Sequence, residues 1–180
     1  MRKLLTLAAA AALLLLTAAP VGGAFLTPAD MQTEAARLGM PTETVFNTIE
    51  DADLNASFRV WCGFVALPAA EELCIPVVSF YGDWREAPYE IRLAVFLHEV
   101  GHYFQWAEGR EFDEWNADVF AATEMCRRGL DGPYWTEQVM RYLTQTYGIG
   151  WDEGADTSHG SAAQRTDNVR ARVLCWEQQA

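Results

Sequence analysis

Leu97 to Trp106 reads LHEVGHYFQW, and the rest of the chain is best understood outward from it. Residues four apart share one face of a helix, so His98 and His102 project toward a common point where a zinc ion could sit. The HExxH spacing sets Glu99 one position round from His98, close enough to reach a zinc-bound water without being a ligand. The chain contains three histidines, and two of them fall in this motif. The run Ile91 to Leu97 before it is apolar enough for a buried helix, where unpartnered imidazoles and a carboxylate would be costly.

A catalytic zinc site needs a third protein ligand. The extended pattern HExxHxxGxxH does not continue here, because residues 105 and 108 are Gln and Glu. The ligand must come from another element, and Glu114-Trp115-Asn116-Ala117-Asp118 offers one. Glu114 and Asp118 share a helical face, and a turn at Gly109-Arg110 would bring that helix back across the first. The expectation is that Glu114 ligates the metal while Asp118 accepts a hydrogen bond from a ligand histidine. Asp113 and Glu111, acidic and near the same turn, are rivals for the ligand position.

The third histidine, His159, lies in the loop Ser158-His159-Gly160-Ser161. From position alone it reads as a surface residue. It is also a candidate donor to the oxyanion that forms when water attacks a carbonyl, or a resting-state occupant of the open zinc position. Tyr142 and Tyr147 are weaker candidates for the donor role.

The 180 residues and an apolar share of 51% suit one domain with one core. Met1-Arg2-Lys3, the Ala/Leu run Leu4 to Ala19 and the small residues up to Ala24 read as a secretory signal peptide, residues 1–24. Residues 25–180 then form a single domain, with no stable membrane anchor after cleavage, and the expected location is periplasmic or secreted. Export suits the four cysteines, Cys62, Cys74, Cys126 and Cys175. Three pairings are possible; Cys62 with Cys74 and Cys126 with Cys175 is favoured, closing a short loop and tying the last helix to the middle of the protein. A four-cysteine zinc site is disfavoured because no Cys-x-x-Cys pair occurs. The formal charge of −12 makes nucleic acid a poor partner.

A helical pattern is expected after Thr27-Pro28-Ala29-Asp30 as far as Leu38, and again from Pro41 with Val45, Phe46, Ile49 and Leu54 on one face. Phe58 to Cys62 and Ile75 to Tyr81 read as two strands of a small sheet or hairpin. Val77, Ser79 and Tyr81 are candidate substrate-binding positions, on the expectation that their strand is an edge beside the active helix; a plain core strand is the equal alternative. Pro88 opens the HExxH helix and Gly109 ends it. Further helices are expected over about 111–128, 134–147 and 162–177. The fold class is therefore α+β, mostly helical, a zincin-like domain with a small sheet beside the active helix.

Taken together and in this order, Cys62-Gly63, Cys74-Ile75-Pro76, His98 to His102 with Gln105 behind it, Glu114 before Asn116-Ala117-Asp118, and His159-Gly160-Ser161 with Gln164-Arg165 resemble the bacterial neutral zinc metallopeptidase family, a gluzincin-like group. The resemblance implies a zinc-dependent endopeptidase with His98, His102 and Glu114 as ligands and Glu99 as general base. It also implies the Cys62 to Cys74 pairing and a place near the site for His159. Tyr103 stands where the family often has another histidine, and Val119 where it often has a cysteine. The functional expectation is a Zn2+ peptidase acting on peptide or protein substrates. The alternative from another class is a zinc-binding, chaperone-like or scaffold protein without turnover.

Overall fold

In chain order the elements are α1 (Pro28–Arg37), β1 (Val45–Ile49), β2 (Asn55–Val65), β3 (Glu71–Tyr81), α2 (Tyr89–Ala107), α3 (Glu114–Arg127), α4 (Gly132–Tyr147) and α5 (Ala162–Arg172). They come from a computed structural model, which describes residues 27–49, 55–65, 71–82, 86–147 and 160–175. The class is α+β and mostly helical, as the sequence patterning implies. The proposed signal peptide and His159 lie outside the described residues.

Two expectations about the sheet need correction. Val45 to Ile49 is a strand and not part of a helix: it pairs in parallel with β3, Val45 beside Val77 through Ile49 beside Tyr81. Three of its five residues, Val45, Thr48 and Ile49, are β-branched and stiff at χ1, which favours a pleated conformation. Its Phe46 packs on Phe96 of α2, ring centroids 5.7 Å apart. Secondly, the sheet order is β1-β3-β2, so β3 is central and not an edge. Residues Val77 to Tyr81 are paired on both sides, with β1 and with Asn55 to Arg59 of β2. An extended peptide cannot add to that stretch, which removes the basis for substrate binding by the backbone of Val77, Ser79 and Tyr81.

The β2–β3 hairpin runs longer than its apolar runs suggest, from Asn55 beside Tyr81 to Val65 beside Glu71. Cys62 and Cys74 are directly opposed in it and form a disulfide. A second disulfide joins Cys126 to Cys175. In the chain-entropy account a cross-link over 49 residues stabilises by about 4 kcal/mol.

Helix α2 is apolar nearly all round and lies inside the molecule. Phe96, Leu97 and Val100 are fully buried, against Val78 and Phe80 of the sheet. On its other side it meets α3 at close range. A Cβ added to Gly101 would fall 2.9 Å from the Cα of Ala117, so only glycine lets the two backbones approach this far. Among the described residues no helix is long and apolar enough to cross a membrane.

The ends of α1 and α3 are joined by ion pairs. Arg128 reaches Glu34 at 2.8 Å and Glu124 at 2.9 Å, and Arg127 also bonds Glu124, whose side chain is buried. Burial opposes ionisation of Glu34 and Glu124, but the hydrogen bonds from Arg128 and its neighbours outweigh it and hold both carboxyls below their ordinary value. A lowered carboxyl contributes stability that is complete above its unfolded-state pKa and is lost as pH falls through the folded value. Urea unfolding between pH 7 and pH ~3 should therefore show stability falling below about pH 5, with a shallower fall in Glu124→Gln.

The helix contact gives a second expectation. Gly101→Ala should destabilise by about 1–3 kcal/mol, the usual cost of overpacking, and should also weaken metal binding by moving α3 away from α2. Thermal unfolding and a zinc titration of the same variant check both parts; a variant with unaltered stability would mean that the helices separate freely.

Candidate metal site

Helices α2 and α3 bring the sequence-predicted ligands together. His98 Nε2 lies 3.1 Å from one Glu114 oxygen, and His102 Nε2 lies 3.3 Å from the other. The two Nε2 atoms are 3.1 Å apart. One ligand atom from each of His98, His102 and Glu114 falls within 4.8 Å of the others, a group that can hold a metal ion. Glu114 stands in the first turn of α3, where the helix dipole favours a carboxylate.

The opposite ring nitrogens are occupied. His98 Nδ1 is 2.9 Å from Asp118 Oδ1, a bond in which the ring N–H donates to the carboxylate. His102 Nδ1 is 3.2 Å from Gln105 Oε1. That amide cannot turn over, because Gln105 Nε2 donates to the Asp113 carbonyl at 2.8 Å and Asp113 N–H donates to Gln105 Oε1 at 2.8 Å. Both neutral rings thus carry their hydrogen on Nδ1 and direct an Nε2 lone pair at the same point, where Glu114 adds negative charge. Lone pairs facing each other at this range call for a cation between them. Without one, the need is met by protonation. Burial works against a charged His98, but the hydrogen bonds to Asp118 and Glu114 carry its pKa up to about 10.

Charge balance points the same way. Three carboxylates, Glu99, Glu114 and Asp118, surround the site, and one guanidinium, Arg165, faces them. A divalent cation would bring this group to neutrality. The residues fit a metal on donor type, tautomer and charge.

Glu99 takes a different position from Glu114. It is 5% exposed, and burial pushes its carboxyl up against the pull of His98 and His102. It accepts a hydrogen bond from the Phe58 N–H of β2. Both glutamates line a cleft of about 400 Å³, within the range of small-ligand sites. Ala56, Ser57 and Phe58 of β2 form one wall, and Val139, Met140 and Leu143 of α4 another. Phe112 stands at the mouth, 57% exposed, with its ring 5.5 Å from that of His102. The strand beside the cleft is thus β2, and not the segment Val77 to Tyr81.

The rivals for the third ligand take other roles. Asp113 is the N-cap of α3, accepting from the Trp115 N–H at 2.9 Å and from Asn116. Glu111 is exposed and outside the donor group. Tyr142 does not line the cleft. Two contributors, Gln105 and Arg165, carry part of the family resemblance but have no role assigned from the sequence. Gln105 orients His102, and its signal is the i, i+3 spacing that puts it on the ligand face. Arg165 clamps Asp118 through Nε and Nη2, each at 2.7 Å, from a helix distant in sequence, so no local spacing reveals it.

Comparison with known protein families, with curated proteins and with solved structures finds no match for this chain. The geometry of these residues therefore carries the functional argument.

Gln105→Leu should leave the Asp113 N–H without its partner, the Asp113 carbonyl keeping the Ala117 N–H, and cost about 1–3 kcal/mol for the unsatisfied group. It should also free His102 to rotate and weaken metal binding about 10–100-fold. Urea unfolding of the metal-free protein and metal competition with a chelator measure the two effects separately. Unchanged metal affinity would show that His102 is oriented by other contacts.

Proposed function

We propose that this chain is a zinc-dependent peptidase that acts outside the cytoplasm. The observation that carries the reading is the spacing of the three donors. Ligand atoms bonded at about 2.0–2.1 Å around a tetrahedral zinc lie about 3.3 Å from one another. Here the two imidazole Nε2 atoms are 3.1 Å apart and each faces a different Glu114 oxygen, at 3.1 and 3.3 Å, and with one oxygen ligating the three donors lie within 4.8 Å of one another. Imidazole and carboxylate are zinc ligands of ordinary softness, and three protein ligands are the number a catalytic site uses. The likeness to the bacterial neutral zinc metallopeptidases, set out from the sequence motifs, supports the same reading. Two disulfides suit an oxidising compartment.

When bound, zinc supplies a Lewis acid that polarises a carbonyl and makes water a better nucleophile at neutral pH. The remaining work belongs to the side chains. Glu99 faces the cleft but is not among the donor group, and its raised pKa suits a base that takes a proton from the attacking water and then passes it to the leaving amine. Asp118 and Gln105 hold the two imidazoles so that Nε2 is the ligating atom. Apolar side chains of α2, α3 and α4, among them Val95, Ala121 and Val139, line the cleft and lower its dielectric, which strengthens each electrostatic contact.

Purified protein loaded with one equivalent of zinc should cleave an unfolded protein or a mixed peptide library, lose this activity to a chelator, and regain it on adding zinc. Glu99→Gln should retain the zinc and lose about 10²–10⁴-fold in turnover. A Glu99→Gln variant as active as the parent would remove Glu99 from the chemistry. One equivalent of tightly bound zinc with no cleavage of any substrate would overturn the peptidase reading in favour of a binding protein.

A further inference from the structure

The metal centre extends one helix beyond its donor residues. Helix α5 begins at a capping box in which Ser161 Oγ accepts from the Gln164 N–H at 3.2 Å and Ser161 N–H donates to Gln164 Oε1 at 3.0 Å. Before it, Gly160 has a φ of +70°, and an added Cβ would strike the Trp115 ring at 2.9 Å. The helix then presents Arg165, Asn168 and Arg172 to α3, a stripe at i, i+3 and i+7. Arg165 bonds Asp118, Asn168 donates to the Trp115 carbonyl at 3.3 Å, and Arg172 donates to Asn116 at 2.8 Å. The Cys126–Cys175 disulfide ties the chain just beyond α5 to the C-terminal end of α3.

Arg165 is the member of this stripe that reaches the cleft. Its Nε bonds Asp118 Oδ2 and its Nη2 bonds Oδ1, both at 2.7 Å, so the planar guanidinium grips both carboxylate oxygens. Oδ1 is the same oxygen that receives His98 Nδ1. Arg165 Nη2 also lies 3.4 Å from Glu114 Oε2. A carboxylate held only by an imidazole can turn about its own χ2. One gripped by a planar fork has its plane fixed, and the ring bonded to it is fixed in turn.

We propose that Arg165 is a positioning residue of the metal centre. By fixing Asp118 it orients His98, and so sets the affinity of the site for a divalent cation. The proposal rests on the metal-binding half of the reading above and is independent of whether peptides are cleaved. A purely structural ion pair would stabilise the α3–α5 contact and leave the metal affinity of the folded protein unchanged.

The test uses the full chain, stripped of metal and titrated with zinc against a chelator of known affinity, with cobalt absorption as a second report on the ligand field. Arg165→Met should weaken zinc binding about 10–100-fold, within the usual range for outer-shell partners. Arg165→Lys should recover part of the loss, because an ammonium restores the charge but not the two-toothed grip. Asp118→Asn should weaken zinc comparably. The double variant Asp118→Asn with Arg165→Met should bind zinc about as well as Asp118→Asn alone, since residues acting through one path are not additive. Wild-type affinity in folded Arg165→Met would overturn the proposal. So would losses that multiply in the double variant. Should Arg165→Met fail to fold, Arg165→Lys decides, because it keeps the charge and loses the fork: wild-type zinc affinity in folded Arg165→Lys would overturn the proposal. Failure of the peptidase reading would look different: the parent protein would hold zinc at full affinity and cleave nothing.

Discussion

The backbone contact between Gly101 and Ala117 is the constraint on which the site depends. His98 and His102 stand three residues before and one after Gly101; Glu114 and Asp118 stand three before and one after Ala117. The turn between α2 and α3 makes the helices run back across each other, so the residue before one crossing point meets the residue after the other. His98 therefore meets Asp118, and His102 meets Glu114. The side chains available at these positions are short, and an imidazole and a carboxylate reach each other only if the helix axes are close. A methyl group at residue 101 would already contact the α3 backbone at 2.9 Å. The packing of two small residues thus sets the size of the donor group, and the same i, i+4 period of a helix supplies its three donors and Asp118 behind them.

Such closeness brings an electrostatic burden. Asp118 and Glu99 are buried, and burial alone would favour their neutral forms. For Asp118 the charge of Arg165 and its hydrogen bonds, with a further bond from His98, outweigh burial, and its carboxyl is held down. For Glu99 burial wins, and its carboxyl is held up. Two acidic groups lining the same cleft are thereby pushed in opposite directions, one toward a permanent anion that orients a ligand and one toward a group able to exchange a proton. The difference arises from where Arg165 is delivered. Because α5 is laid along α3, the guanidinium bonds Asp118 directly and reaches Glu99 only through space, while Glu99 takes its hydrogen bond from the Phe58 N–H.

What was legible in the sequence follows helical spacing. His98, Glu99 and His102 announce themselves by a five-residue motif, and Glu114 with Asp118 by one further i, i+4 pair on the helix that must follow the turn. The cysteine pairing was legible because two of the four residues sit in neighbouring strand patterns, while one of the others lies on a late helix and its partner just beyond the last one. The sheet was less so. Val45, Phe46 and Ile49 satisfy a helical period and a strand equally, and the choice was made by a partner thirty-two residues away, since Val45 pairs with Val77. That same pairing turned β3 from an edge into the centre. Parallel pairing between segments separated by another strand leaves no local trace, because it is fixed by tertiary packing such as Phe46 on Phe96. Arg165 was likewise unreadable in role, although its neighbour Gln164 marks a helix start through its spacing from Ser161.

The sheet, which supplies no donor, still matters to the site. With β1 on the far side of β3, the strand left beside α2 is β2, and its Phe58 joins three parts of the cleft. Its N–H is accepted by Glu99, and its ring lies 5.8 Å from that of Phe112 and 6.2 Å from that of Tyr103. Phe112 in turn stands edge-on to His102. An aromatic framework thus supports the open side of His102, whose Nδ1 bonds the neutral amide of Gln105, while His98 is anchored by the charged Asp118–Arg165 pair on the opposite side. The two ligands are held by different physics, packing and a neutral amide for one, charge and a planar fork for the other. Increasing salt acts on exposed charges far more than on buried pairs, and at 13% and 4% side-chain exposure Arg165 and Asp118 are shielded from it. Both supports therefore hold over the same range of ionic strength.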